Sequence, residues 1–152
     1  MIRDDLKTAL VSAMKSGDKA GTQTMRMVSS AIKNRDIELR TASVQPDDDA
    51  LVTDVLQKMI KQRRESVEMF EKGGRAELAA IETAEIAVIE RFLPAQMSED
   101  EAKTAIAALI AETGAASMKD MGRVMALVRE RHATSIEPAR ASALVKALLS
   151  GA

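Results

Sequence analysis

Residues 24–40 read TMRMVSSAIKNRDIELR, and this stretch separates two faces of one helix. Met25, Val28, Ile32 and Leu39 return at helical spacing and form an apolar stripe. Arg26, Lys33 and Arg40, seven residues apart, stack on a second face roughly a quarter to a third of a turn away. One face packs and the other carries positive charge. A second basic run, Lys58, Lys61, Arg63 and Arg64, has no acid between its first and last members.

Working outward, the periodicity stays helical, and no alternating β-branched run is long enough to suggest a sheet. The chain reads as all-α with seven helices. The first, near Ile2–Lys15, buries Ile2, Leu6, Leu10 and Met14 and stops at Gly17, a left-handed cap. The second spans about residues 18–40. A polar segment with Pro46 precedes a third helix, opened by Asp48 and Asp49 at the positive end of its dipole and running to Lys72. Gly73 and Gly74 turn the chain into a fourth helix, near Arg75–Phe92, that offers Leu78, Ile81, Val88, Ile89 and Phe92, so helices three and four form an antiparallel hairpin. Pro94 biases its predecessor out of the α region. The boundary falls there, giving a four-helix module over 1–94 and a three-helix module over 95–152. In the second module, Ser98/Glu101 and Ser117/Asp120 are spaced as capping boxes. Helix five ends at Gly114, helix six buries Met118, Met121, Val124, Met125 and Val128, and helix seven starts near Pro138.

The chemistry in the sequence is sparse. Zero cysteines exclude disulfides, thiolate metal sites and cysteine nucleophiles together. No nucleophile elbow, phosphate-cradling glycine loop or dinucleotide fingerprint occurs. His132, the one histidine, falls near the end of helix six, where it is expected to bond free carbonyls. The acids at 47–49 suit a helix N-terminus far better than a cation site, so no cofactor or metal is expected. Ten methionines replace missing aromatics as core filling, with an adaptable binding groove as the alternative.

With a net charge of -1, the chain cannot coat nucleic acid through bulk charge. Because only 1% of residues are aromatic, it has no platform for stacking bases either. RNA binding would go through phosphates and shape, by Arg26, Lys33, Arg40, Lys58, Lys61 and Arg64, with no DNA or membrane partner expected. No apolar run approaches the roughly 18 residues of a bilayer span. MIRDDLK at the start lacks a secretory h-region, so a cytoplasmic location is expected.

One pair breaks the core pattern. Arg63 projects into the apolar stripe of helix three and Glu85 into that of helix four. They lie at nearly equal distances from the Gly73-Gly74 turn. An antiparallel hairpin puts them at one level, as a structural ion pair that fixes register.

TMRMVSSAIKNRDIE, KQRRESVEMFEKGGRAEL, ETAEIAVIERFLPAQMSEDE and ETGAASMKDMGRVM occur in that order. Together they resemble the GatB/YqeY family, free-standing relatives of the tail domain of the GatB component of the glutamine-dependent aspartyl/glutamyl-tRNA amidotransferase. The resemblance implies a non-catalytic accessory protein that engages tRNA or a tRNA-processing enzyme. The family label of carbon-nitrogen ligase activity, with glutamine as amido donor, belongs to the whole amidotransferase, whose active sites lie outside the tail. A helical protein-binding adaptor without RNA binding is the alternative. Before the last helix, where the family has a Gly-x-Ala-Asp-like turn, this chain reads Thr134, Ser135, Ile136, Glu137, Pro138.

Overall fold

A computed structural model describes residues 1–151. Among them are seven α-helices and no strand: α1 (Ile2–Ser16), α2 (Lys19–Glu38), α3 (Asp48–Lys72), α4 (Ala76–Glu90), α5 (Glu99–Thr113), α6 (Met121–His132) and α7 (Pro138–Ser150). The chain divides into two compact units, Met1–Leu93 and the residues from Pro94 onward.

In the first unit α1 stops where Gly17 takes a left-handed φ of 73°, a conformation that costs a residue with a Cβ. The next residue, Asp18, caps α2 by accepting from the Gly21 N–H at 2.9 Å. A side chain at Gly21 would collide with that carboxylate. Asp47 caps α3 in the same way, accepting from Ala50 N–H. The first half of α3 is the centre of the unit. From Leu51 to Ile60 only Asp54 and Lys58 escape burial, because α1, α2 and α4 all pack on it. Val28, Val52, Leu56 and Ile89 are fully buried, and each such side chain contributes about 1.5–3 kcal/mol. Thr53 Oγ1 and Gln57 Nε2, on the same stretch, are buried with no hydrogen-bond partner among the described residues.

Two charge clusters tie these helices together. Arg3 on α1 reaches Asp36 on α2 at 2.9 Å and Asp48 on α3 at 2.8 Å, while Asp49 accepts from the Ile2 N–H. The bond from Arg3 holds the Asp48 carboxyl below the usual aspartate range, and the two carboxylates raise the Arg3 guanidinium. The second cluster lies in the α3–α4 hairpin. Gly74 there has a φ of 71° and the Arg75 N–H bonds back to Phe70 O at 2.8 Å.

The second unit relies on caps and backbone bonds. Ser98 Oγ accepts from the Glu101 N–H and the Glu101 carboxylate accepts from the Ser98 N–H, each at 3.1 Å, which depresses the Glu101 pKa. Gly114 ends α5 with a φ of 67°. The segment before α5 is bonded to the turn before α7: Met97 N–H donates to Ser135 O, Gln96 Nε2 to Thr134 O, and Arg140 Nη2 to Met97 O. Inside that turn Ile136 is 1% exposed and joins Ile106, Val124, Ala141 and Val145 in the core.

Several expected details differ. Met118 lies in a 3-10 turn, Met118–Asp120, ahead of α6, and is 40% exposed. Asp120 accepts from the Ala116 and Ser117 N–H groups there, so the break comes from a side chain that competes for the first free donors. In α1 only Leu6 is fully buried and Met14 is exposed, because just one edge of this helix meets its neighbours. The His132 side chain makes no described hydrogen bond. Its carbonyl instead accepts from Ser135 and Ile136, so the turn's own backbone closes that helix end.

Candidate functional site

The basic residues singled out in the sequence do not all share one setting. Arg26 and Lys33 are exposed on α2 and make no ion pair among the described residues. Arg40 is exposed and also makes no ion pair among the described residues, but it lies beyond the α-helix. The α-helix ends at Glu38 and Arg40 sits in the 3-10 turn Leu39–Thr41, where residues advance about 120° rather than 100°, which sets Arg40 roughly 40° from the position extrapolated by sevens. Lys58 pairs with Asp54 at 3.1 Å and Arg64 with Glu90 at 3.4 Å, across to α4. Lys61 is exposed and unpaired among the described residues.

Lys19 extends the line in the other direction. Lys19, Arg26 and Lys33 are seven residues apart, all exposed and all without an ion pair among the described residues, which makes a cationic line about 21 Å long at 1.5 Å per residue. The same period run backwards past Thr24 finds Lys19 in the sequence. The acids of α2 are already engaged, Asp36 by Arg3 and Glu38 by Arg35. Alongside the first two cations lies an open groove of about 580 Å³, lined by Met14, Asp18, Lys19, Thr22, Gln23 and Arg26. It offers cations, a hydroxyl and an amide, donors that hold a phosphate in place, beside the Asp18 carboxylate that caps α2.

Arg63 has a different role. Its side chain is 12% exposed, and Nε donates to Glu85 Oε2 at 2.8 Å with Glu82 Oε2 at 3.9 Å. Nη1 reaches Met59 O at 3.3 Å, and Nη2 lies 3.7 Å from Met27 Sδ on α2. Each of the three guanidinium nitrogens has a partner inside the bundle. Arg63 holds helices together and is not presented to a ligand.

No group of three or more histidine, cysteine or acidic side chains among the described residues could hold a metal ion, and no helix is long and apolar enough to cross a membrane. Met25, Met59 and Met125 lie in cores, whereas the exposed Met14, Met69 and Met118 are on separate elements.

A helical-hairpin unit, a three-helix unit and a line of unpaired cations define a small all-α protein whose distinctive surface is electrostatic. The chain belongs to the family described as Yqey-like protein, whose model matches residues 3–149. It is similar to altered inheritance of mitochondria protein 41, mitochondrial, from Eremothecium gossypii, at 35% identity over 59% of this chain and 48% of that protein. The proteins of the same name from Lachancea thermotolerans and Saccharomyces cerevisiae are 34% and 30% identical over 59% and 61% of this chain, and 46% of each relative. The chain thus spans about half the length of these relatives. Their names overturn the cytoplasmic expectation. A compartment is set by a removable leader, which leaves no trace in the composition of a mature helical domain, so the absence of a secretory h-region was no guide.

Proposed function

We propose that this protein is a non-catalytic accessory factor that docks tRNA through the phosphate backbone, using α2 as the contact helix. The observation that carries the reading is the line Lys19, Arg26 and Lys33, exposed and free of ion pairs among the described residues, with Lys61 as a further unpaired cation. The resemblance to the amidotransferase tail supplies the class of RNA. The names of the fungal relatives speak of mitochondrial inheritance and not of tRNA. Bulk charge contributes little at a net -1, so binding depends on these few side chains.

A salt titration of tRNA retention tests this. Phosphate contacts make log K fall linearly with log salt. Replacing Lys19, Arg26 and Lys33 together by glutamine is expected to reduce that slope by about three, roughly one per lost phosphate contact. Wild-type protein with no salt-sensitive retention of tRNA would sink the reading. An amidation assay with glutamine and purified protein is expected to give no product, and turnover would place catalysis in this chain.

A further inference from the structure

The groove beside α2 holds more than two cations. Lys19 and Arg26 stand about 10.5 Å apart along the helix axis, and Thr22 and Gln23 occupy the turn between them. The side chains of Thr22 and Gln23 make no hydrogen bond among the described residues. Met14, from α1, adds an apolar wall and is 52% exposed. Asp18 adds an anion. Its Oδ1 accepts from the Gly21 N–H at 2.9 Å, while Oδ2 accepts no bond among the described residues. Gly21 makes the room for that free oxygen, since a Cβ there would lie 2.2 Å from it. A carboxylate repels phosphate, so the cations and the anion fit different parts of one ligand. The cations suit phosphates, and the carboxylate suits a group rich in N–H donors. An unpaired nucleotide within a strand carries both.

We propose that this groove binds one unpaired guanine of an RNA, with Lys19 and Arg26 on the flanking phosphates and Asp18 accepting from its Watson–Crick edge. The proposal rests on the reading of α2 as the RNA contact and adds what that contact selects. Among the four RNA bases, guanine alone sets two adjacent donors, the N1–H and the N2 amino group, beside an acceptor, O6. Asp18 Oδ2 takes the donors and the Gln23 amide faces O6. Uracil offers one N–H between two carbonyls, which a carboxylate repels. Adenine and cytosine each place a bare ring nitrogen next to their amino group. With no aromatic side chain in the groove, the base is held by its edge, and the soft Met14 thioether packs on its ring. The volume of about 580 Å³ lies within the roughly 300–1,000 Å³ of small-molecule sites. A guanine in a duplex has this edge occupied, so the groove selects loops and ends over paired stems.

Fluorescence anisotropy with the full chain at low salt tests this, with a short oligouridine and the same oligomer carrying one central guanosine as probes. The guanosine oligomer is expected to bind about ten-fold tighter, the scale of one bidentate base contact. Inosine in its place lacks the N2 amino group and is expected to lose most of that gain. Asp18→Asn keeps the helix cap, because asparagine caps about as well as aspartate, but puts an amide donor where Oδ2 was. It is expected to abolish the guanine preference while oligouridine binding stays equal or strengthens, since a negative charge has left the groove. Gln23→Ala is expected to reduce the preference and leave oligouridine binding unchanged. Helicity by circular dichroism checks that each variant folds. Wild-type protein that retains tRNA but binds the two oligomers equally, or binds neither, would overturn the proposal and leave the phosphate reading standing. A guanine preference that survives Asp18→Asn would do the same. Wild-type protein with no salt-sensitive binding to tRNA or to either oligomer would remove both readings together.

Discussion

α2 and α4 both pack against α3 and both leave one face to solvent, but they distribute their residues in opposite ways. α2 buries Met25, Val28 and Ile32 and sets cations outward. α4 buries Ala79 and Ile89, turns Glu82 and Glu85 inward and sets Ala80, Ile81 and Ala84 outward. The difference shows that the inner face of a helix is decided by what its neighbour offers. α3 offers aliphatic side chains to α2. To α4 it offers Arg63, a cation that must be matched because an unpaired charge at this depth is costly.

The largest break in the comparison comes from removing that match. Glu85→Ala is expected to cost about 2–3 kcal/mol, somewhat below the value for a fully buried pair because Glu82 remains as a second acceptor. Arg63→Met with Glu85→Leu is expected to be nearly neutral, since both charges leave together. Urea denaturation of the three proteins separates these outcomes, and a Glu85→Ala variant as stable as wild type would show that the pair does not hold α4.

On the α2 side the corresponding tie is Arg3, and Arg3→Ala is expected to cost about 1–2 kcal/mol at neutral pH, reduced by the partial exposure of both carboxylates. The Asp48 pKa is depressed in the folded protein by its bond from Arg3. Its contribution is therefore complete above the ordinary aspartate value of about 3.9 and fades as pH falls through the lower folded value. The gap between wild type and Arg3→Ala should close over that acid range. A gap that stays constant with pH would assign the effect to packing of the Arg3 stem.

α3 itself carries the next smaller effect. Thr53→Val removes a buried hydroxyl with no partner and is expected to stabilise by about 1 kcal/mol, read as a higher melting temperature. A drop instead would show that the hydroxyl is satisfied by buried water. Smallest of all, Lys33→Glu with Lys61→Glu is expected to stay within about ±0.5 kcal/mol of wild type, because both side chains project into solvent. A larger loss would mean that the cationic faces also serve the fold.

Helix positions were readable to within a residue or two wherever a cap or a glycine marked the end. Gly17, Asp47, Ser98, Gly114 and Pro138 each act by local backbone chemistry that needs no tertiary information. The level of Arg63 and Glu85 follows from counting outward from a two-glycine turn. Two other features were not readable. Met27 as a neighbour of Arg63 depends on how α2 is placed, and Ile81 looked like a core residue because an apolar side chain on a helix carries no sign of which way it faces. The cationic line was half readable. Its period was visible, but the 3-10 turn that holds Arg40 arises where α2 runs out and Gln45 donates to Leu39 O and Ala42 O.

The Gly73-Gly74 turn also has a kinetic meaning. It brings Arg63 and Glu85 together across only 22 residues, whereas Arg3 must find Asp48 across 45 and Ile2 must find Asp49 across 47. Short loops close at lower entropic cost and sooner. The hairpin is therefore expected to form the folding nucleus of the first unit and α1 to dock last. Truncations at Val67 and Leu78 should slow folding, while changes at Arg3 should mainly speed unfolding. On that order the N-terminal helix acts as a latch, added to a hairpin that has already set its own register.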